Sequence, residues 1–284
     1  MKALGVLVLV LALSACSMRQ LAVNHIGNAL ADGGAAFAAD DDPELVRAAA
    51  PFSLKLVESL LAESPGHRGL LLAAARGFTQ YAYAFVQQEA EETEEHDLAA
   101  AARLEERARR LYRRARDYGL RGLALGKPGF TREDVPLLYW TAAAWGALIA
   151  LSKDRPETLA ELPMMQALID RALELDESFE GGALHTFLIG YEPVRQGAPG
   201  DPAQRARRHF ARALELSGGS QAAPLVALAE AVCVQQQERA EFEALLRRAL
   251  AIDVDRNPGQ RLANLVAQRR ARWLLSRTDR LFTN

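Results

Sequence analysis

Ile169-Asp170-Arg171-Ala172-Leu173-Glu174-Leu175 is the stretch whose reading decides the fold, because it recurs twice with small changes. Phe210-Ala211-Arg212-Ala213-Leu214-Glu215-Leu216 is the second copy and Leu246-Arg247-Arg248-Ala249-Leu250-Ala251-Ile252 the third. Matching arginines stand at 171, 212 and 248, so the steps are 41 and 36 residues. Tyr112-Arg113-Arg114-Ala115-Arg116-Asp117-Tyr118 is a weaker copy. These residue types enter a helix at little entropic cost. The alanine lets two helices approach closely, and the apolar residues beside it fill the groove between them. The steps exceed the period of about 34 of a tetratricopeptide unit, lengthened by loops. One helical hairpin cannot bury its own apolar face, so hairpins at this spacing stack and share a core. The expected fold is all-α: tetratricopeptide-like helical hairpins stacked into a compact superhelical array over residues 43–284. The concave side or bore of such a stack is the usual place to hold something.

Working outward, breakers divide the chain. Asp42-Pro43-Glu44 reads as an N-cap with proline at the first helical position. Ser64-Pro65-Gly66 is a sharp break, and Gly126-Lys127-Pro128-Gly129 and Gly197-Ala198-Pro199-Gly200 are loops. Between them the periodicity predicts helices over about 67–93, 97–125, 136–151, 164–175, 203–216, 222–235, 238–252 and 258–278. Strand signals are nearly absent.

The first sixteen residues carry a different message. Met1-Lys2 is a positive start, Ala3 to Leu13 is an apolar run, and Leu13-Ser14-Ala15-Cys16 ends it with small residues. This is the layout of a secretory signal. The run is too short to span a bilayer, which takes about 20 residues. Leu-Ser-Ala-Cys is similar to the bacterial lipobox, in which the cysteine is acylated and the signal cut just before it. Residues 1–15 are therefore expected to be a lipoprotein signal peptide, Cys16 the lipidated residue, and 16–42 a lipid-anchored tether or short helix. The mature chain is then expected to be exported and held to a membrane through acyl chains. Ser17, rather than an aspartate, after Cys16 points to the inner leaflet of the outer membrane.

Composition bounds the rest. Half of the 284 residues are apolar and a quarter charged, and the formal net charge is −2. Nothing in that balance recommends a nucleic acid. Cys233 is the one cysteine besides Cys16, so no disulfide framework is available. Its apolar surroundings read as a buried small hydrophobe. Glu89 to Asp97 is strongly acidic and Arg247 to Arg280 is rich in arginine. Such runs are usually solvated helix faces; the other reading is that the two patches meet across an interface.

A search for catalytic chemistry finds little. The five histidines are scattered, no two at i, i+4, and there is no His-Glu-x-x-His, Cys-x-x-Cys, Gly-x-Ser-x-Gly or glycine-rich phosphate loop. His185 and Glu192 stand two helical turns apart, a spacing that fits a structural pair or chance better than an acid–base couple. The histidines read as surface or capping residues. No catalytic residue, metal or cofactor is expected.

The aromatic residues are less ordinary. Phe78-Thr79-Gln80-Tyr81-Ala82-Tyr83-Ala84-Phe85 packs four rings into eight residues. On a helix 78, 81 and 85 share one face while 83 points elsewhere. Tyr139-Trp140 and Trp145 stand among alanines and a glycine, and Phe187 and Tyr191 follow His185. Two readings stay open for Phe78, Tyr81, Phe85, Tyr139, Trp140, Trp145, Phe187 and Tyr191. They are core, or some of them wall an apolar ligand cavity, with tyrosine and tryptophan supplying polar atoms.

Several of these segments together resemble one known family. Leu61-Ala62-Glu63-Ser64-Pro65-Gly66-His67 with Gly77 to Phe85 is similar to the opening of the TatT proteins. These are the T components associated with tripartite ATP-independent periplasmic (TRAP) transporters. Arg114 to Leu123, Tyr139 to Gly146, and Gly182 to Leu188 with Tyr191-Glu192 fit the same family, as does the lipobox. The resemblance covers nearly the whole mature chain, and its aromatic segments are its specific part. It implies an all-helical periplasmic lipoprotein, a homotrimer whose protomers carry a pore or apolar cavity, and association with the substrate-binding P component of a TRAP transporter. It further implies apolar organic ligands, carboxylated ones among them, and no enzymatic activity. A tetratricopeptide scaffold for envelope assembly, holding no small molecule, is the alternative expectation.

Overall fold

The computed structural model describes residues 27–28, 34–127 and 129–283. The signal peptide, Cys16 and most of the expected tether lie outside them. Every regular element among the described residues is helical.

A short helix, α1 (Gly34–Ala38), precedes α2 (Pro43–Glu63). Asp42 caps α2 by accepting from the Glu44 and Leu45 amides, as the Asp-Pro-Glu signal anticipates. Next comes α3, one continuous rod over 68–93. It opens as α-helix (Arg68–Tyr81), widens to a π-helix (Ala82–Gln87) and returns to α-helix (Gln88–Thr93). His67 caps its start, its ring nitrogen accepting from the Leu70 amide at 3.2 Å. Then follow α4 (Leu98–Ala124), α5 (Val135–Ala150), α6 (Leu162–Leu175), α7 (Ala183–Tyr191) and α8 (Pro202–Leu216). α9 runs over 223–236 and contains a second π-helix, Ala229–Cys233. α10 (Arg239–Leu250), α11 (Arg261–Ser276) and α12 (Thr278–Leu281) complete the described chain.

Each rod packs mainly on its neighbours in sequence: α3 on α4, α4 on α5, α5 on α6, α7 on α8, α10 on α11. The alanine of each repeated heptapeptide is fully buried, namely Ala115, Ala172, Ala213 and Ala249. Close approach is also visible at Gly119, where a Cβ would sit 2.1 Å from Thr141 Oγ1 across the α4–α5 joint. Gly182 (φ +96°) turns the chain into α7, and a Cβ there would sit 3.2 Å from the Ala213 α-carbon of α8. Cys233 is fully buried, as its apolar setting implies.

The two ends of the chain meet. α11 packs on α1 and α2, and Arg261 donates to the Ala39 carbonyl at 2.9 Å. The segment 34–42, left open between tether and helix, thus has its α1 portion packed on the C-terminal part of the fold. The acidic run and the arginine-rich run are not merely solvated. Glu91 and Glu92 receive Arg270 and Arg269 at 2.5 and 2.6 Å, and Glu95 receives Arg277 at 2.5 Å and Arg280. Arg47 of α2 pairs with Glu89. The opposite patches meet within one chain, across 177 residues of sequence for Glu92 and Arg269, rather than across a subunit boundary.

Candidate functional site

The face rule on α3 sorts its rings. Phe78, Tyr81 and Phe85 are buried, between 3% and 8% exposed, and belong to one apolar cluster with Tyr112 and Leu148. Tyr83 lies on the opposite face, with Arg76 and Gln80, and is 42% exposed. Yet burial is the main reason its hydroxyl pKa is pushed up to about 12, with Glu230 adding to the shift. The ring is open to water while its hydroxyl lies among charged and polar groups of the protein.

Those groups come from distant parts of the chain, the second π-helical turn among them. Tyr83 belongs to the first and Glu230 to the second. Arg270 of α11 bridges the halves, donating to Glu230 Oε1 at 2.6 Å and pairing with Glu91 Oε2 at 2.5 Å. Its guanidinium also lies 4.3 Å from the centre of the Trp273 ring. Burial pushes the Glu230 carboxyl upward, and Arg270 opposes it. Gln88, 1% exposed, stands within reach of Tyr83. A π turn adds one residue to a helical turn and re-aims the side chains beyond it; such turns are frequent at functional sites.

A second group sits two turns along the same face of α3. Arg76 acts electrostatically on Glu180, whose carboxyl is pushed up by burial. Glu180 is held at φ +46°, a left-handed conformation for a residue with a β-carbon. Burial, with Glu180 adding to it, raises the Tyr139 hydroxyl pKa, and Phe179 packs on the Tyr139 ring at 5.4 Å.

The remaining candidate rings divide cleanly. Trp140, Trp145 and Tyr191 are buried, at 5–8% exposure, while Tyr139 and Phe187 are half-buried. Trp145 donates its indole N–H to Glu161 Oε2 at 2.5 Å under the Arg116 guanidinium. Tyr191 donates to Gln166 Oε1 at 2.9 Å. Sequence reasoning set Tyr83 aside from the candidates. Its signal was present in the count that put it on the face opposite Phe78, Tyr81 and Phe85.

Two further polar clusters lie elsewhere. His185 and His209 face each other Nδ1 to Nδ1 at 2.8 Å, His185 Nε2 reaches Glu177 at 3.3 Å, and His209 Nε2 stands 3.9 Å from Glu192. His185 is 5% exposed, so the reading of all histidines as surface or caps fails for this pair, whose members are 24 residues apart. Glu192 is itself buried and held by Arg205 at 2.5 Å and Arg195 at 2.9 Å. Cys233, Glu238 and Glu241 bring possible ligand atoms within 4.8 Å of one another. Arg207 already pairs with both carboxylates, and burial pushes the thiol up to about 12. That arrangement is a buried thiol under an ion pair. Among the described residues no helix is long and apolar enough to cross a membrane.

Comparison with known proteins supplies the context for this geometry. The family model described as TRAP transporter T-component matches residues 39–133 and 128–282. An uncharacterized protein of Treponema pallidum (strain Nichols) is 31% identical over 303 aligned positions, covering 94% of this chain and 93% of the relative. The matched segments contain both π-helical turns, the Arg270 bridge and all eight candidate rings, in a family of transporter accessories and not of enzymes. The chain belongs to the TRAP transporter T-component family.

Proposed function

We propose that this chain is a periplasmic, lipid-anchored accessory of a TRAP transport system. It binds or passes an apolar organic ligand along the inner surface of a tetratricopeptide-like superhelix and associates with the substrate-binding P component. Cys16 carries the acyl anchor, in the inner leaflet of the outer membrane, and three copies assemble. The observation that carries the ligand reading is Tyr83: a ring 42% exposed whose hydroxyl feels the charges of Glu230 and Arg270 from the far part of the chain. Tyr139 and Phe187, also half-buried, are the other candidate wall residues. Apolar cargo would be retained because removing apolar surface from water is worth about 25 cal/mol per Å2. The ion-paired collar of Glu91, Arg270 and Glu230 would orient a polar end.

The burial of Phe78, Tyr81, Phe85, Trp140, Trp145 and Tyr191 favours a second reading, a scaffold for envelope assembly without cargo. Native mass spectrometry of the protein, alone and with the substrate-binding subunit, separates the two. The transport reading expects a trimer that retains an organic molecule and binds the subunit, with retention lost in Tyr83→Ala and Tyr139→Ala. An empty protein that ignores the subunit would leave the scaffold.

A further inference from the structure

α2 and α4 each carry a stripe of exposed side chains, and side-chain bonds at Glu58 and Pro65 tie the two helices together. Leu45, Phe52 and Leu56 of α2 are 58%, 74% and 37% exposed. At 100° per residue they fall within roughly 40° of one another, one stripe along the helix. Exposed apolar side chains in a row mark an interaction surface more often than scattered ones do. α4 lies alongside: Tyr118 donates to Glu58 at 2.8 Å, Arg114 pairs with Glu58 at 3.4 Å, and Arg121 donates to the Pro65 carbonyl at 3.1 Å.

The sequence of α4 carries eight arginines and three acids. Arg103, Arg107, Arg110, Arg114 and Arg121 are all exposed and fall within roughly 60° on its surface. Three of them, spaced by seven, lie over aromatic rings: Arg107 over Tyr81 at 5.8 Å, Arg114 over Phe78 at 5.2 Å, and Arg121 over Tyr118 at 5.4 Å. The ring faces hold these guanidiniums in a ladder. The nearby acids are engaged: Glu105 and Glu106 by Arg109, Asp117 by Arg116, Glu58 by Lys55 and Arg114. Asp40, Asp41, Asp42, Glu44 and Glu63 stand at the two ends of α2.

We propose that the joint outer face of α2 and α4 docks on a lipid leaflet bearing anionic phosphate headgroups. Leu45, Phe52 and Leu56 enter the interface, and the arginine ladder meets the phosphates. An apolar stripe beside a basic one is the pattern of elements that lie in the plane of a membrane, and each basic residue near an anionic leaflet adds to the attraction. The choice of a membrane over an acidic protein rests on the anchor reading above. Pro43 follows Cys16 by only 27 residues, so α2 is the first long helix beyond the acyl chains.

The test uses the full acylated chain in phosphatidylethanolamine vesicles with and without phosphatidylglycerol. An environment-sensitive fluorophore is placed at Phe52→Cys, and a control at Arg248→Cys in α10. The intact mass of the chain first reads acylation, so a failed anchor is recognised separately from a failed face. The expected result is a blue-shifted label at 52, quenched by bilayer-embedded lipid quenchers only when the anionic lipid is present, and a water-exposed label at 248. The Arg103→Glu/Arg110→Glu variant, at two stripe arginines that stack on no ring, should weaken this insertion about thirtyfold or more. A label at 52 as water-exposed as at 248 overturns the proposal. So does quenching that ignores the anionic lipid. So does protection at 52 without vesicles that grows with protein concentration, which would assign the face to a second copy.

Discussion

The helices up to 151 and those beyond 201 solve the same packing problem in different ways. In the first group the joints are filled by rings. Phe78, Tyr81, Phe85, Tyr112 and Trp145 are buried there, and their polar atoms are met locally, Tyr112 by Gln87 at 2.6 Å and Trp145 by Glu161. In the second group the buried rings are fewer, Phe242 and Phe282, and alanines at 206, 213, 222, 229, 249, 267 and 271 line the joints, as alanines do in the first group too. Register is set there by buried polar side chains. Asn264 accepts from the Ala222 amide at 2.9 Å and donates to the Ser220 carbonyl at 3.0 Å. Gln268 donates to the carbonyls that end α10, at 2.9 to 3.3 Å. The difference teaches how each group should fail. Losing a ring leaves a hole, and losing a peg leaves an unsatisfied polar group.

Changes that break this contrast can be ranked. Trp145→Ala should cost about 4 kcal/mol, from lost burial plus a residual cavity, read as a drop in urea midpoint. Glu192→Ala beyond the ring-filled joints strands Arg205 and Arg195, and should cost about 3 kcal/mol. Equal small effects of the two would erase the distinction between hole and stranded charge. Asn264→Ala should follow at about 2 kcal/mol, since a buried amide and a carbonyl each lose a partner.

Acid sharpens the comparison, because His209 belongs to the second group and pairs with His185 just before it. Burial, with the neighbouring His185 next in size, holds His209 down to about 4, against 6.5 in an unfolded chain. The folded form therefore binds fewer protons than the unfolded form between these values. The stability this contributes is complete above pH 6.5 and is lost as pH falls toward 4. Glu192 has the opposite origin. Burial raises its pKa, but the bonds from Arg205 and Arg195 outweigh that, and its contribution is lost only at lower pH, below the ordinary carboxylate range. His209→Gln should flatten the first of these losses while sparing the second, measured as the urea midpoint against pH.

The smallest stability effect is expected at the seam between the two groups. Arg270→Ala should lower stability by about 1 kcal/mol, as partly exposed ion pairs do. Hydrogen exchange should nevertheless quicken in α11 and over 88–93, because the bridge to Glu91 and Glu230 is gone. Exchange unchanged in both segments would show that the chain ends are held by α11 packing on α1 and α2 instead.

Much of the fold was legible before any coordinates. Asp42-Pro43 and Ser64-Pro65-Gly66 bound α2, and Ala115, Ala172, Ala213 and Ala249 went to buried joints, because caps, prolines and close-packed alanines act within a few residues of themselves. The π turns were not legible. Phe78 to Phe85 fits an α-helix by composition, and the inserted residue depends on what the rod packs against. The His185–His209 pair escaped for a similar reason: neither residue has an unusual neighbour in sequence.

Residue order by itself determined that this chain is helical, where most helices begin and end, and which side chains share a face, since the 3.6-residue period is a local property of the backbone. Only the tertiary structure decided which face looks inward, that Tyr83 rather than Tyr81 is the open ring, and that the acids of 89–95 meet the arginines of the last helices. Those outcomes are set by the distant helix that arrives opposite, and no local period carries that partner's identity.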